Sequence, residues 1–286
     1  MQVQLIAFDL DGTLLDDEKC VPDRNKAALK AAHDAGILLV PATGRILKGM
    51  PEELMELGLF RYFIFSNGAL VYDAERGESL FRAGIEPDLA IRVCEYMDTL
   101  PVLYDCYREG MGYMTAWMYD QAFEFFASEP EILKLVKRLR IPVPELKEDI
   151  LKVGVPLEKL QMYFREEDTE ERAKQLSKIP RIFPELISSS STKNNVEINS
   201  ARAGKGKALQ RLCEHLGIDP AAAVAFGDGL NDSDLLLAAG RGCAVANAAA
   251  AVKECADVIV ESNLDAGVGR EVFRLLNSEP GEAPLP

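Results

Sequence analysis

The first part of the chain carries short, mostly apolar runs: Val3 to Phe8, Ile37 to Val40 and Tyr62 to Phe65. Runs of that length without polar alternation mark strands buried on both faces. Between the first two, Ala27, Ala28, Ala31 and Ala32 recur at helical spacing. Asp23 is placed to cap that helix, and Gly36 to end it. A further helix is expected from about Leu47 to Leu57. Strand, helix, strand, helix, strand is the rhythm of a parallel α/β sheet. The polar stretch from Leu14 to Pro22 is too irregular for an element and reads as a flap.

The rhythm then changes. Two short strands flank a turn at Asp73 to Glu78, and from about Gly84 amphipathic helices alternate with isolated strands. Helices are expected over Leu89–Leu100, Glu131–Arg140 and Thr169–Ser177, and strands over Val102–Tyr107, Tyr113–Met118 and Leu160–Phe164. The polar run from Ser188 to Asn195 reads as a hairpin or hinge. After it the parallel rhythm resumes, with helices from Lys205, Asn231 and Ala248 and strands at Ala222–Phe226, Cys243–Val245 and Val258–Val260. The expected architecture is an α/β, Rossmann-like core of residues 1–83 and 191–276, with an α+β cap, 84–190, inserted into it. The Pro- and Glu-rich tail 277–286 is expected to be disordered.

Composition narrows the function. A net charge of −14 over 286 residues disfavours an electrostatic grip on nucleic acid or an anionic membrane. Six cysteines without C-x-x-C spacing and only two histidines make a zinc site a poor reading, and buried reduced thiols a better one. No apolar run reaches membrane-spanning length and no signal-peptide pattern opens the chain, so a cytoplasmic location is expected.

Chemistry-bearing residues gather where apolar runs end. Asp9 and Asp11 follow the first run, one residue apart, and alternation would send both to one side. Two such carboxylates call for a positive partner, and a hard divalent cation such as Mg²⁺ suits all-oxygen ligands. An Asp-Gly hairpin turn is the plain alternative. Gly12 lets the chain turn away tightly, and Thr13 offers a hydroxyl and an N–H to an anion. Thr43-Gly44-Arg45 ends the second run, where a hydroxyl beside N–H groups suits phosphate; an ordinary turn with a surface arginine would look the same. Gly227-Asp228-Gly229-Leu230-Asn231-Asp232 ends another run, and a capped turn explains one of its polar residues but not Asp228, Asn231 and Asp232 together. Lys205, in Gly204-Lys205-Gly206-Lys207-Ala208, opens a helix but lacks the Gly-Lys-Ser/Thr ending of a P-loop. It is read as a cation that neutralises carboxylate and phosphate together.

Taken in order, Asp9-x-Asp11-Gly12-Thr13, Thr43-Gly44-Arg45, Lys205 and Gly227-Asp228-Gly229-Leu230-Asn231-Asp232 resemble the four motifs of the haloacid dehalogenase superfamily. Asn67-Gly68-Ala69 and the segment from Lys205 to Leu209 are similar to its Cof-type phosphatase branch, whose cap lies between the second and third motifs. The resemblance implies a Mg²⁺-dependent phosphatase acting on a small phosphorylated metabolite, such as a sugar phosphate. It implies Asp9 as nucleophile and Asp11 as acid and then base. Asp9, the Asp11 carbonyl and Asp228 would hold the metal, with Asp232 in or just behind that shell. Thr43, Gly44, Arg45, Lys205 and Asn231 would bind the phosphoryl group. A phosphomutase on the same fold and a phospho-accepting switch are the alternatives; Asp11 and the inserted cap weigh against the switch. The glycines of the turn Arg108–Tyr113 suit close approach to a substrate, which makes that turn the expected reader of its organic part.

Overall fold

The computed structural model describes residues 2–127, 130–165 and 167–276. The tail 277–286 therefore lies outside the described residues. The chain divides into two compact units. One holds the N-terminal segment to Gly44, Met50–Phe81 and the segment from Gly204; the other holds Arg45–Gly49 and Arg82–Ala203.

The first unit begins with β1 (Leu5–Phe8), α1 (Asp23–Asp34), β2 (Leu38–Pro41), α2 (Glu52–Glu56), β3 (Tyr62–Phe65), β4 (Leu70–Asp73) and β5 (Glu78–Arg82). All four residues of β1 are buried, as a central strand of a parallel sheet requires. Asp23 is the first residue of α1 rather than its cap; Pro22 holds the cap position without a side-chain bond. The helix expected over Leu47–Leu57 is instead a 3₁₀ turn, Leu47–Gly49, followed by α2. Pro51 separates them, because proline cannot donate the N–H that a continuous helix needs. Leu14 and Leu15, expected in a flap, are fully buried. Their carbonyls accept from the Asn25 and Asn263 amides at 2.8 and 3.0 Å, which ties this loop down.

The second unit contains α3 (Pro87–Met97), β6 (Leu103–Arg108), β7 (Met111–Thr115), α4 (Ala116–Phe125), α5 (Pro130–Leu139), β8 (Arg140–Val143), α6 (Leu146–Val153), β9 (Lys159–Tyr163), α7 (Thr169–Ile182), β10 (Leu186–Ser189) and β11 (Asn195–Ser200). Its six strands run in the order β10-β11-β9-β6-β7-β8. Tyr104, Cys106, Leu160, Met162, Val196 and Ile198 alternate onto one face and join Val93, Met97, Ile150 and Ile179 in a single apolar cluster. The polar run Ser188–Asn195 joins β10 to β11 within this sheet. The second unit therefore extends to Ala203 rather than ending at 190, since β11 also pairs with β9.

The chain returns to the first unit with α8 (Lys205–Leu216), β12 (Ala223–Gly227), α9 (Ser233–Ala238), β13 (Arg241–Val245), α10 (Ala250–Cys255), β14 (Val258–Val260) and α11 (Gly267–Leu276). Its main sheet is β14-β13-β12-β1-β2, every pair parallel. Phe8 is in register with Phe226 on one side and Pro41 on the other. The carboxyl ends of β1, β2 and β12 therefore lie level, and strand order reverses direction across β1. That is where open α/β sheets place their ligands. A parallel bridge between Ala42 and Ile64 carries the alignment on to β3.

Candidate active site

Each strand end delivers a polar residue to one place. Asp9 leaves β1 with its N–H donating to the Phe226 carbonyl at 3.0 Å, so the turn stays bound to β12. Gly12 follows at φ 86°, and a Cβ there would lie 2.6 Å from Asp228 Oδ2. Only glycine permits both that backbone and that approach. Thr13 Oγ1 donates to Asp228 Oδ1 at 2.7 Å. The hydroxyl read from the sequence as an anion ligand is thus spent on orienting a carboxylate, 215 residues away in the chain.

Lys205 is the centre of the arrangement. It is the first residue of α8, fully buried, and its Nζ lies 2.6 Å from Asp9 Oδ1 and 2.6 Å from Asp232 Oδ1. The other oxygen of Asp232 accepts the N–H groups of Asp228 and Gly229 at 3.0 and 2.9 Å. Both Asp232 oxygens thus have partners within the protein, and this carboxylate braces the Gly227–Asp232 turn and the lysine together. Carboxylate oxygens of Asp9, Asp228 and Asp232 lie within 4.8 Å of one another. Three hard oxygen donors so placed fit a divalent cation of the Mg²⁺ type.

The electrostatics follow from burial. Asp9 is held well above the usual carboxylate range: burial is the largest cause, Lys205 opposes it, and the charges of Asp232 and Asp228 add to it. Asp228 is pushed up to about 6 by burial, against the Thr13 hydrogen bond. Burial works against the Lys205 charge too, but the Asp232 and Asp9 carboxylates outweigh it and hold the ammonium above the ordinary lysine range. A buried ammonium thus balances carboxylates that would otherwise repel.

A second group flanks the first. Asn67, just past β3, stands in the left-handed region at φ 58°, which asparagine tolerates better than most residues. Its N–H donates to the Thr43 carbonyl at 3.1 Å, and its Oδ1 accepts from Asn231 Nδ2 at 3.1 Å. A Cβ on Gly44 would fall 2.8 Å from that same Oδ1. Thr43, Gly44, Asn67 and Asn231 are therefore one connected set. Gly68 follows at φ 88°, packed so closely on Gly204 that a Cβ would sit 2.1 Å from the Gly204 carbonyl oxygen. This contact sets the chain that enters α8 and hence the position of Lys205.

Of the expected residues, Asp9, Lys205, Asp228 and Asp232 share the carboxylate cluster, and Thr43, Gly44 and Asn231 share the asparagine-centred set. Asp11 is half-exposed, and its Oδ1 is 3.1 Å from Lys19 Nζ. Arg45 groups with the second unit, where its Nη1 donates to the Gly49 carbonyl at 2.7 Å. In the turn expected to read substrate, Arg108 is buried, paired with Asp149 at 2.8 Å and stacked over the Tyr113 ring at 4.2 Å. Its guanidinium braces the second unit, which accounts for its presence in that turn.

Sequence reasoning named the Asn67-Gly68-Ala69 turn only for its resemblance and gave Asn67 no part in the site, and it missed Asp234 and Asn247. Asn67 supplies the amide oxygen that orients Asn231; its signal was the Asn-Gly pair at a strand end. Asp234 accepts the Gly206 N–H at 3.0 Å and so caps the start of α8. Asn247 donates to the Gly12 carbonyl at 2.7 Å and accepts from the Asn263 N–H at 3.0 Å. Neither of the last two stands in a recognisable spacing with the residue it holds.

Known proteins resemble this chain along nearly all of its length. The sequence profile of the haloacid dehalogenase-like hydrolases matches residues 6–272. The 5-amino-6-(5-phospho-D-ribitylamino)uracil phosphatase YcsE of Bacillus subtilis is 30% identical over 272 residues, covering 95% of each chain. An HMP-PP phosphatase of Cronobacter sakazakii is 29% identical over 249 residues, 86% of this chain and 85% of its own. The solved structure of a haloacid dehalogenase-like hydrolase from B. subtilis superposes with a TM-score of 0.77 at 28% identity, over 96% of this chain and 100% of that one.

Proposed function

The chain belongs to the haloacid dehalogenase-like hydrolases and is a phosphoric monoester hydrolase, and on that premise we propose that it hydrolyses a small phosphorylated metabolite through an aspartyl-phosphate on Asp9, with Mg²⁺ as cofactor. The observation that carries this reading is the buried Lys205 bridging Asp9 and Asp232 at 2.6 Å each, beside Asp228.

Asp9 and Asp228, with the Asp11 carbonyl, would hold the cation, and Asp232 would brace the turn behind them. When bound, the cation offsets the charge of the carboxylates and of the transferring phosphoryl group. Lys205 holds one oxygen of Asp9, which restricts the rotation of the carboxylate and leaves the other oxygen to meet phosphorus. Thr43, Gly44 and Asn231 would receive the phosphoryl oxygens, Asn231 with its amide turned by Asn67. Charge there is stabilised through the transfer by groups already in place. Asp11 would give a proton to the leaving alcohol, then take one from the water that attacks the acyl-phosphate.

Relatives named for a ribitylamino-uracil phosphate and for HMP-PP support a small phosphorylated substrate, a sugar phosphate among the candidates. None of the helices among the described residues is long and apolar enough to cross a membrane, and the cytoplasm is the compartment we propose. The test is phosphate release over a metabolite panel with Mg²⁺, Ca²⁺ or excess chelator. Multiple turnover with Mg²⁺ and its loss in chelator or Ca²⁺ are expected, since Ca²⁺ accepts more ligands in looser geometry. Full activity in chelator would refute the ligand roles of Asp9 and Asp228.

A further inference from the structure

We propose that Asn247 is a positioning residue that sets the metal affinity of the carboxylate cluster by fixing the peptide between Gly12 and Thr13. This rests on the reading above of Asp9 and Asp228 as ligands of a divalent cation. The side-chain amide of Asn247 donates through Nδ2 to the Gly12 carbonyl at 2.7 Å. Beyond that carbonyl, Thr13 Oγ1 donates to Asp228 Oδ1 at 2.7 Å. One peptide unit thus separates the amide from the hydroxyl that orients a proposed metal ligand. Two residues further along the same loop, between β13 and α10, the Ala249 N–H donates to the Asp228 carbonyl at 3.0 Å. The loop therefore touches both carboxylate-bearing turns, and Thr13 and Asp228 join those turns to each other.

The residue type fits that task. Asn247 Oδ1 accepts the Asn263 N–H at 3.0 Å, so the amide spends an acceptor on one side and a donor on the other. A carboxylate of the same length has no donor for the Gly12 carbonyl, and an apolar side chain has neither group. Asn263 is buried, and its own amide donates to the Leu15 carbonyl at 3.0 Å, which anchors the support just past the first turn. Gly12 is where such a tie matters. At φ 86° it has the broad backbone freedom of glycine. The Thr13 N–H meets the Leu10 carbonyl at 3.3 Å, longer than the bonds from Leu14 and Leu15 at 3.1 and 2.9 Å. Without Asn247 the peptide can turn, and the Thr13 hydroxyl turns with it. Asn247 itself is exposed, and a single hydrogen bond that competes with water contributes modestly to stability. Its effect falls on the geometry of the carboxylates rather than on folding. Residues that orient metal ligands from behind typically control affinity by about ten- to hundred-fold.

The experiment measures Mn²⁺ binding to the metal-free protein from the electron paramagnetic resonance signal of the free ion, with Mg²⁺ as competitor; both ions suit oxygen ligands. Wild type is compared with Asn247→Ala, Thr13→Val, the Asn247→Ala/Thr13→Val double variant and Asp228→Asn, all well below their thermal transitions. Asn247→Ala and Thr13→Val should each weaken binding by about ten-fold or more. The double variant should bind about as weakly as Thr13→Val alone, because both changes cut one path. In turnover, Asn247→Ala should raise the Mg²⁺ concentration for half-maximal rate by the same factor, with kcat at saturating Mg²⁺ little changed. Wild-type Mn²⁺ affinity in Asn247→Ala, even with a lowered melting temperature, would reduce the residue to a structural tie and overturn the inference. Full multiplication of the two single losses in the double variant, or wild-type affinity in Thr13→Val, would overturn the path through Thr13. If Asp228→Asn loses binding and Asn247→Ala keeps it, the Asn247 role alone falls. If Asp228→Asn binds Mn²⁺ as wild type does, the ligand reading falls and the Asn247 role with it.

Discussion

Replacing Lys205 with Met tests whether the buried ammonium is what allows three carboxylates to share one site. The methionine fills much of the same volume but leaves Asp9 and Asp232 without their 2.6 Å partner. Each charge-assisted bond is worth about 1.5–3 kcal/mol, so two of them give about 3–6 kcal/mol. Removing one member of a buried ion pair typically costs about 3–5 kcal/mol, which agrees. The loss should depend on pH. Asp9 is already held above its ordinary value by burial, and without Lys205 it moves higher. A native carboxylate that keeps its proton where the unfolded one has lost it makes stability fall as pH rises from about 4 to the folded pKa. Each tenfold change in that protonation equilibrium is worth about 1.4 kcal/mol. The deficit against wild type should therefore be about 3–5 kcal/mol at pH 8 and clearly smaller at pH 5. Urea denaturation in chelator at both pH values measures this. Adding Asp232→Asn should return part of the stability, because an amide oxygen can still accept the Asp228 and Gly229 N–H groups. Phosphate release should stay at least about 10²-fold below wild type in both variants. A deficit under about 1 kcal/mol at pH 8, or the same deficit at both pH values, would refute the reasoning.

Two further substitutions probe the frame around that lysine. Asp228→Asn should abolish turnover yet stabilise the chelated protein by about 1–3 kcal/mol at pH 8. The Asp228 pKa of about 6 means that ionising this buried group opposes folding, increasingly so as pH rises from about 4 through 6; unchanged or lower stability in denaturant titrations would contradict this. Gly68→Ala should cost about 2 kcal/mol or more, because the new Cβ meets the Gly204 carbonyl at 2.1 Å on a backbone at φ 88°. A thermal melt shows the loss, and a wild-type transition would mean that the Gly68–Gly204 contact can relax.

The core was legible because its strands are apolar runs and its chemistry begins where they stop. Phe8, Pro41 and Phe226 sit at one level, so residues that looked scattered in sequence meet at one sheet edge. What the sequence could not reveal was which partner each polar group takes. Thr13 could serve a phosphate or a carboxylate equally, and only the fold brings Asp228 within 2.7 Å. Asp232 reads as a metal ligand by residue type, yet both of its oxygens are engaged by Lys205 and two main-chain N–H groups. In the second unit, α4 starts at Ala116 directly after β7 ends at Thr115, with no glycine or proline to mark the change. The strand β8 carries Pro142 at the sheet edge, where proline is tolerated but hides the strand pattern. The alternation in Asn195-Val196-Glu197-Ile198-Asn199-Ser200 was a usable signal for β11, obscured by the serine-rich run before it. Arg108, in the glycine-containing turn expected to read the substrate, has a partner that the sequence did not reveal, the Asp149 carboxylate at 2.8 Å.

The most direct test of the proposed mechanism is to trap phosphate on Asp9. Asp11→Asn removes the group that would deprotonate water, and general acid–base help of about 10²–10⁴-fold is enough to make the second step limiting. Incubated with an aryl phosphate, this variant should accumulate one phosphoryl group, seen by intact mass and mapped to the peptide that contains Asp9. An alkyl phosphate should leave no adduct, and the Asp9→Asn/Asp11→Asn double variant none with either substrate. Wild-type turnover of both substrates by Asp11→Asn, or a phosphoryl group mapped to any other residue, would contradict an aspartyl-phosphate on Asp9.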